Sequence, residues 1–147
     1  SFLPKNLNAK LVIIGDGPER KNLENLIIKL NMQDNISLVG FHENVYPWFD
    51  IADLYVHSAI YDGLPLTILE SLLAGTPIVS TNSECGPSEL LENGKYGKLV
   101  NISDPKQLSN AIQDKLLESN DKSSLIEKAK QFSLTNISEE YIKIFNN

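Results

Sequence analysis

Asp62 and Glu70 are the two acidic residues of a stretch that can hold an anion and a hydroxyl-rich group together. Glu70 is the only charged residue between Asp62 and Glu84. A buried carboxylate without partners is costly, so Glu70 should face water or a hydrogen-bonding ligand. The stretch is typical of a glycine-containing loop that opens a helix, whose first N–H groups and dipole attract an anion. The amides of Leu66 and Thr67 would hold a phosphate, with a sugar about one turn deeper at Glu70.

The residues around Glu70 indicate a short helix packed on a sheet. Pro65 suits the first helical position, where its missing N–H is not needed, and Gly75 suits the position just past the last turn. The helix between them would bury an apolar stripe formed by Ile68, Leu69, Leu72 and Leu73. Its other face would be small and polar, with Thr67, Glu70, Ser71 and Ala74 at helical spacing. Because a Glu on such a helix can equally face solvent, the helical pattern alone leaves ligand binding open.

Apolar runs and turn residues predict strands and helices that alternate along the chain. Strands are predicted at 10–15, 36–39, 54–57, 77–80 and 97–100. Helices are predicted at 18–31, at 44–51 (a short helix or turn), after Asp62, near Pro87, and at 105–118, 122–132 and 137–146. Asp104 should cap the helix at 105–118, and Asn136 with Glu139 the last one. The alternation implies an α/β fold with a parallel sheet and right-handed crossovers, in which ligands lie at the carboxyl ends of the strands.

Composition and charge argue against several classes of function. The chain has 147 residues, 41% of them apolar, which predicts one domain with an α/β sheet region at 1–103 and a helical region at 104–147. A net charge of −6 without a basic cluster argues against nucleic-acid binding. The single Cys85 excludes an internal disulfide and fits a reducing compartment. No apolar run reaches the ~20 residues of a membrane span. Two histidines far apart and one cysteine predict no metal site.

Several short motifs follow one another between Lys10 and Leu117 in an order that carries a family resemblance. They are Gly15-Asp16-Gly17-Pro18, Val39-Gly40-Phe41, Asp62 with Glu70, Gly75-Thr76-Pro77, Gly86-Pro87-Ser88-Glu89 and Asn93-Gly94-Lys95-Tyr96-Gly97. In this order and spacing the chain resembles the C-terminal, donor-nucleotide-binding domain of retaining glycosyltransferases with the GT-B fold, group 4. The details Gly63-Leu64-Pro65 and Cys85-Gly86-Pro87-Ser88-Glu89 are most similar to bacterial surface-polysaccharide transferases. The resemblance implies a Rossmann-like parallel sheet flanked by helices and a helical C-terminal tail.

The resemblance also implies which residues touch the donor. Asp62 and Glu70 occupy the two acidic positions of the family's E-x7-E region and are the implied catalytic pair. In the family the second acid binds the ribose hydroxyls, while the first acid and the following loop hold the transferred sugar and the diphosphate. This adds four residues to the implied binding site: Gly63, Leu64, Leu66 and Thr67. The backbone at Gly40 and Phe41 would meet the nucleobase.

Asp62 departs from the family pattern, because its carboxylate is one methylene shorter than that of the usual glutamate. The implied donor is a UDP- or GDP-linked sugar, with no metal and no cofactor. The implied reaction transfers a hexosyl unit to a hydroxyl acceptor with retention, in polysaccharide or glycoconjugate synthesis. Two alternatives stay open at this point. One is a non-catalytic α/β nucleotide-binding or interaction module, and the other is a fragment of a GT-B sugar-nucleotide epimerase.

The same resemblance implies a larger parent enzyme. The family's donor domain starts with a strand ending in Gly-Arg and followed by a Lys, and an acceptor domain normally precedes it. Neither feature occurs before Lys10, and the chain starts at Ser1, so we expect an N-terminally truncated chain that is inactive alone. A strand order of 3-2-1-4-5-6 would leave a gap at the missing first strand. We expect a cytoplasmic protein whose full-length parent associates peripherally with a membrane.

Overall fold

The structure is a computed structural model that describes residues 9–146. These residues fall into two compact units, 9–45 and 46–146, and each unit is described here by itself. The single-domain count stays a prediction.

The first unit is a strand–helix–strand element. It contains β1 (Leu11–Ile14), α1 (Arg20–Lys29) and β2 (Ile36–Gly40), and β1 pairs with β2 in parallel. Helix α1 begins two residues later than predicted, with Glu19 at its N-cap, because residues 18 and 19 form a turn. Beyond the paired strands, the Gly15 N–H donates to the Gly40 carbonyl oxygen at 2.7 Å. Both glycines have a positive φ, so the backbone turns away from the sheet there.

The second unit is a three-stranded parallel sheet with helices. Its elements are α2 (Tyr46–Ile51), β3 (Tyr55–His57), α3 (Leu66–Ala74), β4 (Ile78–Thr81), α4 (Pro87–Leu90), a 3-10 turn (Glu92–Gly94), β5 (Lys98–Val100), α5 (Pro105–Leu117), α6 (Lys122–Lys130) and α7 (Leu134–Phe145). The strand order is β3-β4-β5, with all pairs parallel. The pairings β1-β2 and β3-β4-β5 are those that a 3-2-1-4-5-6 order leaves when its first strand is absent.

Strand β4 lies at the centre of the core, and all four of its residues are buried. Successive side chains of a strand point to opposite faces, so Ile78 and Val79 belong to different clusters. The cluster around Ile78 contains Ile68, Leu72, Leu90, Leu91, Leu125 and Ala129 from α3, α4 and α6 and the residues next to them. The cluster around Val79 contains Val100 and Ala111. The sheet of the second unit is therefore covered on both faces.

Three details of the prediction for helix α3 are wrong: its first residue, and the burial of two of its side chains. It begins at Leu66, because Pro65 keeps an extended ψ of 92° and occupies the N-cap. Ser71, placed on the polar face, is fully buried (0% exposed), and its hydroxyl donates to the Thr76 carbonyl oxygen at 3.1 Å. Leu73, placed in the apolar stripe, is 48% exposed. The buried face is thus rotated toward Ser71, whose hydroxyl satisfies a buried turn.

The C-terminal helices confirm one predicted cap and correct another. Asp104 caps α5 by accepting from the Gln107 N–H at 2.8 Å, as predicted. The predicted cap of the last helix, Asn136 with Glu139, is wrong: α7 begins at Leu134 and is capped by Ser133, which accepts from the Asn136 N–H at 3.3 Å. A serine before the helix satisfies an early N–H, so the helix starts three residues sooner than the apolar spacing indicated.

Candidate functional site

The loop after β3 leads directly into the start of α3. The first backbone hydrogen bond of the helix comes from the Ile68 N–H, which donates to the Pro65 carbonyl oxygen at 2.9 Å. The amides of Leu66 and Thr67 therefore lie ahead of the helical hydrogen-bond ladder, where helices bind anions. The helix ends at Gly75, whose φ of 70° is the left-handed conformation expected of a helix terminator.

Glu70 lies on α3 one turn after Thr67, so both side chains project from the same face of the helix. It is half-buried, and burial raises the pKa of its carboxyl above the ordinary glutamate value. Burial is the cause of this shift, and among residues 9–146 no cation lowers the pKa of this carboxyl. Glu70 is thus a partly desolvated acceptor, ready for a ligand that donates hydrogen bonds.

Asp62 follows β3 and faces a histidine of the same strand. Its Oδ2 lies 3.5 Å from Nε2 of His57, which is only 7% exposed. On the other side of the imidazole, Nδ1 lies 3.4 Å from the hydroxyl of Tyr55. The Tyr55 hydroxyl is also hydrogen-bonded to Thr67 Oγ1, at 2.7 Å. A row of polar groups therefore connects the carboxylate before the loop with the hydroxyl at the start of α3.

Electrostatics show that both carboxylates act on the same phenol. Burial raises the pKa of Tyr55, and the negative charges of Glu70 and Asp62 raise it further, against the hydrogen bond to Thr67. A carboxylate shifts a phenol in this way only from nearby. The structure thus brings Asp62, Thr67 and Glu70 near one tyrosine.

The loop before α3 is held by a second glycine from the loop after β4. Gly86 has a φ of 88°, and a Cβ placed there would overlap Pro65 Cδ and lie 2.6 Å from the Gly63 carbonyl oxygen. The two loops therefore touch backbone to backbone, which only glycine permits. Thr81 adds a further tie, because its hydroxyl donates to the Ala59 carbonyl oxygen at 2.5 Å. These contacts fix the path of the chain from β3 to α3.

The remaining predicted binding residues are largely exposed. Leu64 and Leu66 present apolar side chains to solvent beside the α3 amides. Gly40 and Phe41 belong to the first unit, where Gly40 ends β2 and Phe41 is 77% exposed. Sequence reasoning missed Tyr55 and Gly86 as parts of this site. The sequence did contain a signal for Tyr55: it stands two positions before His57 in β3, so both side chains lie on the same face of the strand.

Residues 9–146 also bear on metal binding, on membrane-spanning helices and on cavities. No group of three or more His, Cys, Asp or Glu residues there could hold a metal ion. No helix in that range is long and apolar enough to cross a membrane. One open cavity of about 370 Å³ lies between β5 and α5, lined among others by Lys98, Asn110 and Asp114, and none of the predicted site residues lines it.

Comparison with known proteins identifies the class. The profile of the family described as "Glycosyl transferases group 1" matches residues 2–132. The chain belongs to this family of glycosyltransferases. The predicted resemblance to a GT-B glycosyltransferase domain is thereby confirmed.

Two relatives extend over almost the whole chain. The lipopolysaccharide core biosynthesis glycosyltransferase LpsE of Rhizobium meliloti is 32% identical over 139 residues, which are 91% of this chain and 41% of LpsE. An α-1,4-N-acetyl-D-galactosaminyltransferase of Campylobacter jejuni, acting on GalNAc-α-(1→4)-GalNAc-α-(1→3)-diNAcBac-PP-undecaprenol, is 30% identical over 150 residues, 98% of this chain and 41% of that protein. The chain thus spans less than half the length of these two relatives.

Solved structures share the fold. HepE of Anabaena, in complex with UDP, superposes with a TM-score of 0.84 at 22% identity, over 98% of this chain and 42% of that one. TarM of S. aureus, in a complex containing UDP, superposes with a TM-score of 0.84 at 22% identity, over 94% of this chain and 29% of that one. The predicted fold class, parallel strands flanked by helices with a helical C-terminal tail, is confirmed by these matches.

Proposed function

We propose that the chain is the donor-binding part of a retaining glycosyltransferase, which transfers a hexosyl unit from a nucleoside diphosphate sugar to a hydroxyl acceptor. The observation that carries the proposal is the start of α3. There the amides of Leu66 and Thr67 lie ahead of the helical ladder, and in the sequence they stand between Asp62 and Glu70. An anion site flanked by hydroxyl acceptors matches a diphosphate joined to two sugars. The UDP and UDP-glucose complexes of HepE support a nucleoside diphosphate sugar as donor.

Each residue has a stated role in the proposed site. Glu70 accepts hydrogen bonds from the ribose hydroxyls, and the amides at the start of α3 hold the diphosphate. Asp62, with the Gly63 and Leu64 backbone, holds the transferred sugar. Gly40 and Phe41 contact the base through their backbone.

The chemistry of such a site is mainly electrostatic. As the sugar leaves, negative charge grows on the diphosphate, and the amides and helix dipole at Leu66 and Thr67 stabilise it. No protein residue is proposed as the base, because an oxygen of the departing phosphate can take the acceptor proton. No metal or cofactor is proposed.

We propose polysaccharide or glycoconjugate synthesis as the biological context, because LpsE is named for lipopolysaccharide core biosynthesis and the Campylobacter relative for an undecaprenol-linked glycan. The parent protein would carry a preceding acceptor domain and work in the cytoplasm at the membrane surface. The family match favours a transferase over an interaction module or an epimerase fragment.

The test is the variant Asp62→Ala in a two-domain parent enzyme, with Asp53→Ala, an exposed aspartate before β3, as the control. We expect turnover to fall about a hundredfold or more, the scale of a lost contact in the transition state, while the affinity for free UDP or GDP changes little. Equal loss of both quantities would give Asp62 a structural role instead. Failure of the parent to bind any nucleoside diphosphate would overturn the proposed function.

A further inference from the structure

The row of polar groups along β3 contains an unsatisfied atom. His57 Nε2 is buried and has no hydrogen-bond partner, although it lies 3.5 Å from Asp62 Oδ2. Its other nitrogen lies 3.4 Å from the Tyr55 hydroxyl, and that hydroxyl lies 2.7 Å from Thr67 Oγ1. A buried polar atom left unpaired is destabilising, so the arrangement of protons in this row decides its free energy.

Of the two proton orders open to the row, only one points an N–H rather than a lone pair of Nε2 toward Asp62. Burial lowers the pKa of His57, so the imidazole is neutral near pH 7 and carries a single N–H. If Tyr55 donates to Thr67, the imidazole proton must sit on Nδ1, and the lone pair of Nε2 then faces a carboxylate. If Thr67 donates to Tyr55 instead, Tyr55 donates to Nδ1 and Nε2 donates toward Asp62. Both hydroxyl protons rotate freely, so the second order is open to the molecule.

We propose that Tyr55 and His57 are positioning residues that hold Asp62 and commit the Thr67 hydroxyl as an acceptor toward the sugar of the donor. This inference rests on the proposed function and names what this part of the site selects. Once the Thr67 proton is given to Tyr55, Oγ1 offers the ligand only lone pairs. Oδ2 of Asp62 lies 3.5 Å from His57 Nε2, which leaves Oδ1 as the oxygen that would accept from the ligand.

It follows from this proposal that different groups of the site bind different parts of the donor. Acceptors at Asp62 and Thr67 bind sugar hydroxyls, which can donate, and give nothing to phosphate oxygens, which can only accept. The diphosphate is left to the backbone amides. Removal of the Tyr55 hydroxyl should therefore weaken recognition of the sugar and leave recognition of the nucleotide almost unchanged.

The proton order is tested by the ring ¹⁵N shifts of the labelled 147-residue chain carrying His42→Gln, in which His57 is the one remaining histidine. At about pH 8, above the ordinary histidine pKa, we expect the tautomer protonated at Nε2. Adding Tyr55→Phe should convert it to a mixture of tautomers, because Nδ1 loses its donor. Phe retains the edge-on packing of the ring against Phe49, so this variant should fold. A tautomer protonated at Nδ1 in the chain that carries only His42→Gln would overturn the proposal.

The role in recognition is tested by calorimetry on a two-domain parent enzyme. Two pairs of ligands are compared, UDP-glucose with UDP and GDP-mannose with GDP. For Tyr55→Phe we expect affinity for the sugar nucleotide to fall about three- to tenfold, as for one neutral hydrogen bond, and that for the free diphosphate to change less than about twofold. Tyr96→Phe, a half-buried tyrosine packed against the Ile78 cluster and outside the proposed site, is the matched control. Equal weakening of both ligands would show a merely structural role. If neither the parent enzyme nor its variants bind any of these ligands, the proposed function fails, and the role of Tyr55 in sugar recognition fails with it. The ¹⁵N shifts of His57 test the proton order independently of ligand binding.

Discussion

The raised pKa of Glu70 indicates that burial of its charged carboxylate reduces the stability of the fold, while the same carboxylate is available to bind a ligand. Its carboxylate is partly desolvated in the folded chain and no cation compensates it. A ligand with donor hydroxyls would supply the missing partners. Two predictions follow from the same carboxylate, one for affinity and one for stability.

Glu70→Gln should weaken nucleotide binding by roughly 1–3 kcal/mol, the scale of a lost charged hydrogen bond. The measurement is calorimetry of UDP and GDP on a protein that binds one of them. Glu140→Gln, an exposed glutamate on α7, is the control and should bind as the parent does. Unchanged affinity in the Glu70 variant would remove this residue from the ribose site.

Glu70→Gln should also change how stability depends on pH. A carboxyl whose pKa is higher in the folded than in the unfolded state binds more protons when folded, so its contribution to stability is lost as pH rises through the folded pKa. The variant cannot titrate there, and its stability relative to the parent should increase from about pH 4 to about pH 7. Urea unfolding at both pH values measures this. A relative stability that falls over that range would contradict the raised pKa.

At the scale of elements, the loop before α3 depends on the loop after β4. Gly86 allows the backbone contact with Gly63 and Pro65 that fixes where α3 begins. The amides proposed to bind the diphosphate, at Leu66 and Thr67, are thus placed by a residue about twenty positions later in the sequence.

Gly86→Ala and Gly94→Ala form a matched pair that isolates this contact. Both glycines have a positive φ, but an added Cβ at Gly94 meets nothing within 4 Å, whereas at Gly86 it meets the loop. Gly94→Ala should cost about 1–2 kcal/mol of backbone strain, and Gly86→Ala about 1–3 kcal/mol more from overlap. Chemical unfolding gives both values, and nucleotide titration should show a loss in the Gly86 variant alone. Equal destabilisation by the two changes would mean that the loops do not constrain each other.

Helix α7 carries an apolar face that the described part of the chain does not bury. No residue of α7 is buried, and Tyr141, Ile144 and Phe145 are largely exposed, the last at 82%. We propose that its face packs on the acceptor domain of the parent protein.

Ile144→Ser should therefore change the unfolding free energy of the 147-residue chain by less than about 0.5 kcal/mol, as for an exposed position. In a two-domain parent the same change should destabilise the protein or its domain contact. Leu125→Ala in the core of the second unit is the contrast and should cost about 2–5 kcal/mol in both proteins. A large loss from Ile144→Ser in the short chain would show that α7 packs on this chain itself.

At the scale of the whole molecule, we predict that the 147-residue chain alone does not transfer sugar. In the proposed GT-B arrangement the donor lies in a cleft between two domains, so here water would fill half of the cleft and weaken the field at the diphosphate. Nucleotide binding should be weak, in the high micromolar range or worse. Turnover of a nucleotide sugar by the purified chain, measured without any partner, would contradict this prediction.

The sequence by itself determined the elements and predicted the site. Helix α3, its terminator Gly75 and the spacing of Asp62 and Glu70 are local features, and local spacing is what sequence records directly. Strand positions were predicted to within about one residue at each end, because short runs rich in apolar and β-branched residues, bounded by turn residues, mark strands.

The tertiary structure decided which groups meet. Periodicity defines a helical face, but the burial of Ser71 and the exposure of Leu73 depend on the turn at Thr76 and on the neighbours of α3. Gly86 touches Gly63 only because parallel pairing of β3 and β4 brings the loops that follow them side by side. Such contacts join residues distant in sequence through the sheet, and no local pattern encodes them.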